Sequence, residues 1–188
     1  MRRALMRKAS FMTVGVGFVV AGLAPVPASA TTNNNESAVY QLHIEVPNVA
    51  RSADGDTVSI TGEGVFSFHP KSFTADGTFT LTNDGTTLSG TWTALELLSF
   101  QPYGCGVVFE NVTLPPNFCG GFILGRVLLT PSTGPTMTGI LRVVCIIGDV
   151  PGQYFVSKNA TEGITLAIPG VENYNQQAGG MNVFIRTA

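Results

Sequence analysis

Apolar and polar side chains alternate along most of the chain, and a period of two predicts half-buried β-strands rather than helices. Ala38, Tyr40, Leu42, Ile44 and Val46 share one face of a first strand, with Gln41, His43 and Glu45 on the other. Pro47 is expected to end it, because proline cannot donate to a ladder. Val58, Ile60, Gly62, Gly64, Phe66 and Phe68 mark a second strand. The segments 77–82 and 86–100 predict a hairpin around Asn83-Asp84-Gly85, residues that tolerate positive φ. A second hairpin is predicted from 121–130 and 136–147 around Pro131 to Pro135, and shorter strands near 153–157, 162–168 and 181–186. The segment 101–120, with Pro102, Gly104, Gly106, Pro115, Pro116 and Gly120, reads as the longest irregular piece.

Both hairpins begin their return strand with an apolar residue, Ser or Thr, then Gly: Leu88-Ser89-Gly90 and Met137-Thr138-Gly139. Ile60-Thr61-Gly62 repeats the pattern in a third strand. Glycine inside a strand marks a bulge, a bend or a close backbone approach, so the repeat predicts strands that coil. Coiled antiparallel strands without helices fit an all-β fold. The preferred form is a single antiparallel β-barrel of about eight strands. The alternative is a two-sheet β-sandwich or jelly roll.

The first thirty residues change the picture of where the protein works. Arg2, Arg3, Arg7 and Lys8 precede an apolar run from Phe11 to Leu23, and Ala28-Ser29-Ala30 follows. The run is shorter than the roughly 20 residues a membrane-crossing helix needs. Residues 1–30 therefore read as a helical signal peptide of bacterial type, cleaved near Ala30, and 31–188 as a single secreted or extracytoplasmic domain. Four of the chain's ten cations lie in that segment, leaving six against twelve acidic residues. Those six (Arg51, Lys71, Arg126, Arg142, Lys158 and Arg186) are scattered, which argues against nucleic acid and a polybasic membrane patch. No membrane span is expected in the mature chain.

Export to an oxidising compartment makes a disulfide the expected use of cysteine. There are three, Cys105, Cys119 and Cys145. Two pairings are open: Cys105 with Cys119 across a short Gly-rich loop, or Cys119 with Cys145 across the second hairpin. Cys145 is in phase with Leu141, Val143 and Ile147 and is expected to face the core.

Chemistry-bearing residues are sparse. His43 and Glu45 share the polar face of one strand, as a base and its orienting carboxylate would; they are the only candidate catalytic pair, and a solvated strand face is the preferred reading of them. His69 reads as a loop histidine. Asp54-Gly55-Asp56, Asp76-Gly77 and Asp84-Gly85 carry turn chemistry without the spacing of a calcium loop, so no metal or cofactor is expected. The aromatics Phe66, Phe68, Trp92 and Phe100 are the candidate ligand-binding residues, since inward aromatics line apolar cavities as readily as they fill cores. The expected function is a non-catalytic β-domain binding a small apolar ligand or a protein partner. The alternative is a small barrel enzyme of cyclase or isomerase type that shapes an apolar substrate.

Overall fold

The alternation becomes twelve β-strands in a computed structural model that describes residues 37–106, 108–109, 112–146 and 161–187. The signal segment, the strand expected near 153–157 and Ile147 lie outside the described residues. The strands are β1 (Val39–Arg51), β2 (Thr57–Phe68), β3 (Lys71–Asn83), β4 (Thr86–Cys105), β5 (Val108–Phe109), β6 (Val112–Thr113), β7 (Phe118–Pro131), β8 (Met137–Cys145), β9 (Gly163–Ile168), β10 (Glu172–Tyr174), β11 (Gln176–Gly179) and β12 (Asn182–Arg186). There is no helix among the described residues. Every pairing is antiparallel, and β5 pairs only with β6.

Neighbour-to-neighbour hydrogen bonding runs β7-β12-β1-β2-β3-β4 and returns to β7, so six strands close a ring. From β7 the sheet also continues outward through β8, β9 and β10, while β11 pairs with β1. This extension curls back, placing β9 against β1 and β11. Closure depends on β4, the longest strand. It pairs with β3 from Thr86 to Thr93, then with β7 from Gly90 to Cys105. Its register with β7 shifts three times, between Ala94 and Glu96, Leu97 and Ser99, and Pro102 and Gly104. Each shift adds a local kink and extra twist.

The first hairpin turns where expected. Asn83 pairs with Thr86, and the two residues between them, Asp84 (φ 48°) and Gly85 (φ 76°), form the mirror-image turn that matches strand twist. Two expectations fail locally. Pro47 does not end β1: the register with β2 jumps between Ile44 and Asn48, and the proline rides in that bulge, where its missing N–H costs no ladder bond. The bulge also turns Val46 outward, 43% exposed, and brings Asn48 and Ala50 into the core phase. The segment 101–120 is less irregular than expected, since β4 continues to Cys105 and β7 begins at Phe118.

The core fills the ring. Among its fully buried members are Trp92, Tyr40, Phe66, Phe79 and Phe184. Large rings fit because glycines lie beneath them. Gly62, Gly77 and Trp92 are consecutive partners across β2, β3 and β4. A Cβ on Gly62 would stand 2.6 Å from Trp92 Cζ2, and one on Gly77 would stand 2.7 Å from Trp92 Nε1. Likewise a Cβ on Gly125 would meet Phe73 Cε1 at 2.5 Å, one on Gly90 Phe79 Cε1 at 2.9 Å, and one on Gly121 Phe100 Cε2 at 3.0 Å. The glycines of the repeated tripeptide thus serve as seats for core side chains, and the repeat is architectural. The indole is anchored as well, its Nε1–H donating to Thr61 O at 2.8 Å.

Adding one methyl to the seat should disturb the whole ring. Gly77→Ala is expected to cost about 2–3 kcal/mol, as overpacking of a filled core does. Thermal unfolding should fall by several degrees and Trp92 emission should shift red. Thr93→Ala, on the exposed face next door, should stay within about 0.5 kcal/mol of the parent. Equal melting temperatures for Gly77→Ala and the parent would refute the seat.

Candidate functional site

The outward and inward phases of the strands sort the candidate residues. His43 lies on the outer face of β1, paired with Glu63 on β2 and Val183 on β12. Glu45 stands in the β1 bulge, exposed, with its N–H donating to Met181 O at 3.0 Å. Neither faces the core.

The four candidate aromatics do not form one group. Trp92 sits at mid-ring on its glycine seat. Phe68, half-buried at the end of β2, meets the His69 ring edge-on at 4.5 Å, with Lys71 Nζ 5.6 Å from its centroid. Phe66 and Phe100 do meet, at 4.9 Å, and they belong to a layer near one end of the ring. Tyr40 stacks on Phe66 at 5.0 Å and tilts against Phe100 at 4.9 Å. Phe184 closes on Phe66 edge-to-face at 5.4 Å. Ring pairs at these separations stabilise by about 0.5–1.5 kcal/mol each beyond their buried area.

This apolar layer contains polar groups of its own. Tyr40 is 0% exposed, yet its hydroxyl has no hydrogen-bond partner. An unpaired buried hydroxyl costs about 1–3 kcal/mol. Tyr40 pairs directly across the ladder with Arg186 of β12, so both side chains leave the same face of the sheet. Burial pushes the Tyr40 hydroxyl above the ordinary tyrosine range, and the Arg186 charge pulls the other way. Sequence reasoning placed Tyr40 on a core face but passed over Arg186 and Phe184. The available signal was phase: Arg186 continues the inward series of Asn182 and Phe184 at the end of β12.

Two other polar groupings are built differently. In the first, Asn182 (2% exposed) joins four strands. Its Nδ2 donates to Val144 O at 2.8 Å, Asn48 Oδ1 at 3.1 Å and Gly163 O at 3.3 Å. The backbone N–H of Asn182 donates to Glu162, whose carboxyl is pushed up by burial and held back by the N–H groups of Asn182 and Ile146. The second is acidic. Asp54, Asp56 and Glu172 bring carboxylate oxygens within 4.8 Å of one another beside the β1–β2 turn. Asp56 accepts from Asp84 N at 3.0 Å, and the Ser52 hydroxyl donates to Asp54, holding that carboxyl below its ordinary range. Three carboxylates open to solvent fall short of the six to eight oxygens calcium takes. A shallow depression of about 370 Å³ runs along Ala167 to Asn173, open to solvent.

Cys105 and Cys119 form the disulfide, facing each other across β4 and β7. The rival Cys119–Cys145 pairing fails on register: Cys145 faces Gly121, two residues along, and its thiol donates to Cys119 O at 3.4 Å. Cys145 faces the core as expected. Burial and then the Glu162 charge push its pKa up to about 12. The disulfide accords with an extracytoplasmic setting. No helix among the described residues is long and apolar enough to cross a membrane.

Comparisons with protein-family models, curated proteins and solved structures found no match to this chain.

The sulfur chemistry is directly checkable. Cys145 stays protonated throughout the neutral range, so the native protein should be inert to iodoacetamide at pH 8 and should release one reactive thiol when unfolded without reductant. Replacing Cys105 and Cys119 together by serine should cost about 3 kcal/mol, the loop-closure value for a loop of this length. Two reactive thiols or more in the unreduced, unfolded chain would contradict the assignment.

Proposed function

We propose that the mature chain is an exported, non-catalytic β-domain that binds a small apolar ligand, and that its six-strand ring works as a small barrel. The ligand would lodge at the end of the ring where Tyr40, Phe66, Phe100 and Phe184 meet. One observation carries the reading. This layer combines aromatic walls with a buried unpaired hydroxyl and an inward-phase cation, and small-molecule sites are built of apolar walls with a few convergent polar groups. Of the four aromatics singled out by sequence, Phe66 and Phe100 belong to this site. Trp92 supports the ring from its seat, and Phe68 stands at its margin. The barrel-enzyme reading draws no support from His43 and Glu45, which lie on the outer side of β1.

Ligand binding should appear as stabilisation. A ligand at a hundred times its dissociation constant adds about 2.7 kcal/mol, which raises the melting temperature of a domain this size by about 5–11 °C. Thermal unfolding of the mature protein should be followed against a panel of small apolar acids, alcohols, esters and aromatic compounds. A rise for some members is expected, abolished by Phe100→Trp, whose larger ring takes the room a ligand would gain when the covering side chains move. No rise across the panel would remove the ligand reading and leave the protein-partner one.

A further inference from the structure

The polar groups at the aromatic end of the ring also indicate what kind of ligand it would take. Tyr40 and Arg186 are cross-strand partners with side chains on one face of the sheet. Both offer donors: a guanidinium has five N–H groups and no acceptor, and a phenol O–H donates readily. The Tyr40 hydroxyl is buried and unpartnered. The ion pair found among the described residues, Glu96 with Arg126, is exposed and involves other strands. Two donors leaving one face of the sheet, one of them packed among apolar rings, call for an acceptor, and the positive charge calls for an anion. Two other cations are engaged elsewhere: Lys71 Nζ donates to Leu98 O at 3.1 Å, and the Arg142 guanidinium lies 4.9 Å from the Phe122 centroid. A single arginine matches a singly charged carboxylate, which its planar fork binds through two parallel hydrogen bonds. A phosphate monoester, carrying close to two charges, is matched less well.

We propose that the ligand is an apolar monocarboxylic acid, its carboxylate held by Arg186 and the Tyr40 hydroxyl and its apolar body laid against Phe66, Phe100 and Phe184. The inference rests on the ligand-binding reading above. Entry requires the covering side chains to change rotamer while the ring backbone stays in place, the usual extent of change on binding.

The test compares two probes of equal chain length, octanoate and 1-octanol, by calorimetric titration of the mature protein at neutral pH and moderate salt. Octanoate should bind about ten- to a hundredfold more tightly, the contribution of hydrogen bonds to a charged group. Arg186→Gln should erase most of that difference by weakening octanoate far more than octanol, and Arg186→Lys should restore part of it. Tyr40→Phe should weaken octanoate less, without lowering the melting temperature, because it removes an unpaired hydroxyl. Circular dichroism confirms that each variant folds. Equal affinity for the two probes would overturn the carboxylate assignment and leave the ligand reading standing. A preference for octanoate unaffected by Arg186→Gln would overturn the assigned residues. Failure of both probes, and of the wider panel, would remove both readings together.

Discussion

The narrow bore of a six-strand ring is the constraint on which the rest of this structure depends. Barrel-like interiors widen with strand number, and about eight strands are needed before side chains from every strand fill the interior comfortably. With six, several of the large inward rings lie over glycines of neighbouring strands, which leave the room a side chain would take. Trp92 lies over Gly62 and Gly77 and donates its indole N–H to Thr61 O. The pair of glycines and the indole form one row across three strands, and the packing of neighbouring rows follows from it.

The same exchange recurs around the interior: Phe79 with Gly90, Phe73 with Gly125, and Phe100 with Gly121. It explains why glycine is so frequent in strands, where it usually weakens pairing. The contact of Phe73 with Gly125 also marks where the ring is under most demand. β3 and β4 part company beyond Asp76 and Thr93, Phe73 reaches across to β7, and Lys71 spans the gap to Leu98 O. The three register shifts of β4 lie along this stretch, so the long strand kinks where it must leave one neighbour for another.

Polar groups inside the body divide into two kinds. Asn182 and Asn48 form a joint: the Asn182 amide donates to three oxygens and fastens the curled extension to β1 and β12. The Tyr40 hydroxyl and Arg186 make no comparable joint. The Tyr40 ring packs against Phe66 and Phe100, and its hydroxyl makes no hydrogen bond. The Asn182 amide fastens strands through its Nδ2, whereas the Tyr40 side chain contributes only its ring to the packing. That contrast places the candidate site at an end of the ring, where the glycine-seated packing of the middle gives way to aromatics in mutual contact.

Most of the longer strands, both hairpins, the Asp84-Gly85 turn, the absence of helix in the described body and the inward placement of Cys145 were legible in the sequence, because each follows from residues close together in the chain; the short strands β5, β6, β10 and β11 were not. Side-chain period and turn conformation are local properties. Part of the candidate site was legible in the same way, since Tyr40 and Phe66 lie in inward phase within their strands, whereas Phe100 reaches the interior only beyond two register shifts of β4. What only the tertiary structure decided is register between distant strands. A slip of one residue would invert every face and is forbidden by the pattern, but a slip of two preserves the alternation and leaves no trace in it. Hence the pattern admitted Cys119 opposite Cys145, whereas the fold sets Cys145 opposite Gly121. Hence too it could not reveal that Trp92 faces Gly77, that Arg186 faces Tyr40, or that Pro47 sits in a bulge. In those pairings Trp92, Phe79, Phe73 and Phe100 each come to lie over a glycine of a neighbouring strand, a fit of volume between residues far apart in the chain that alternation alone does not encode.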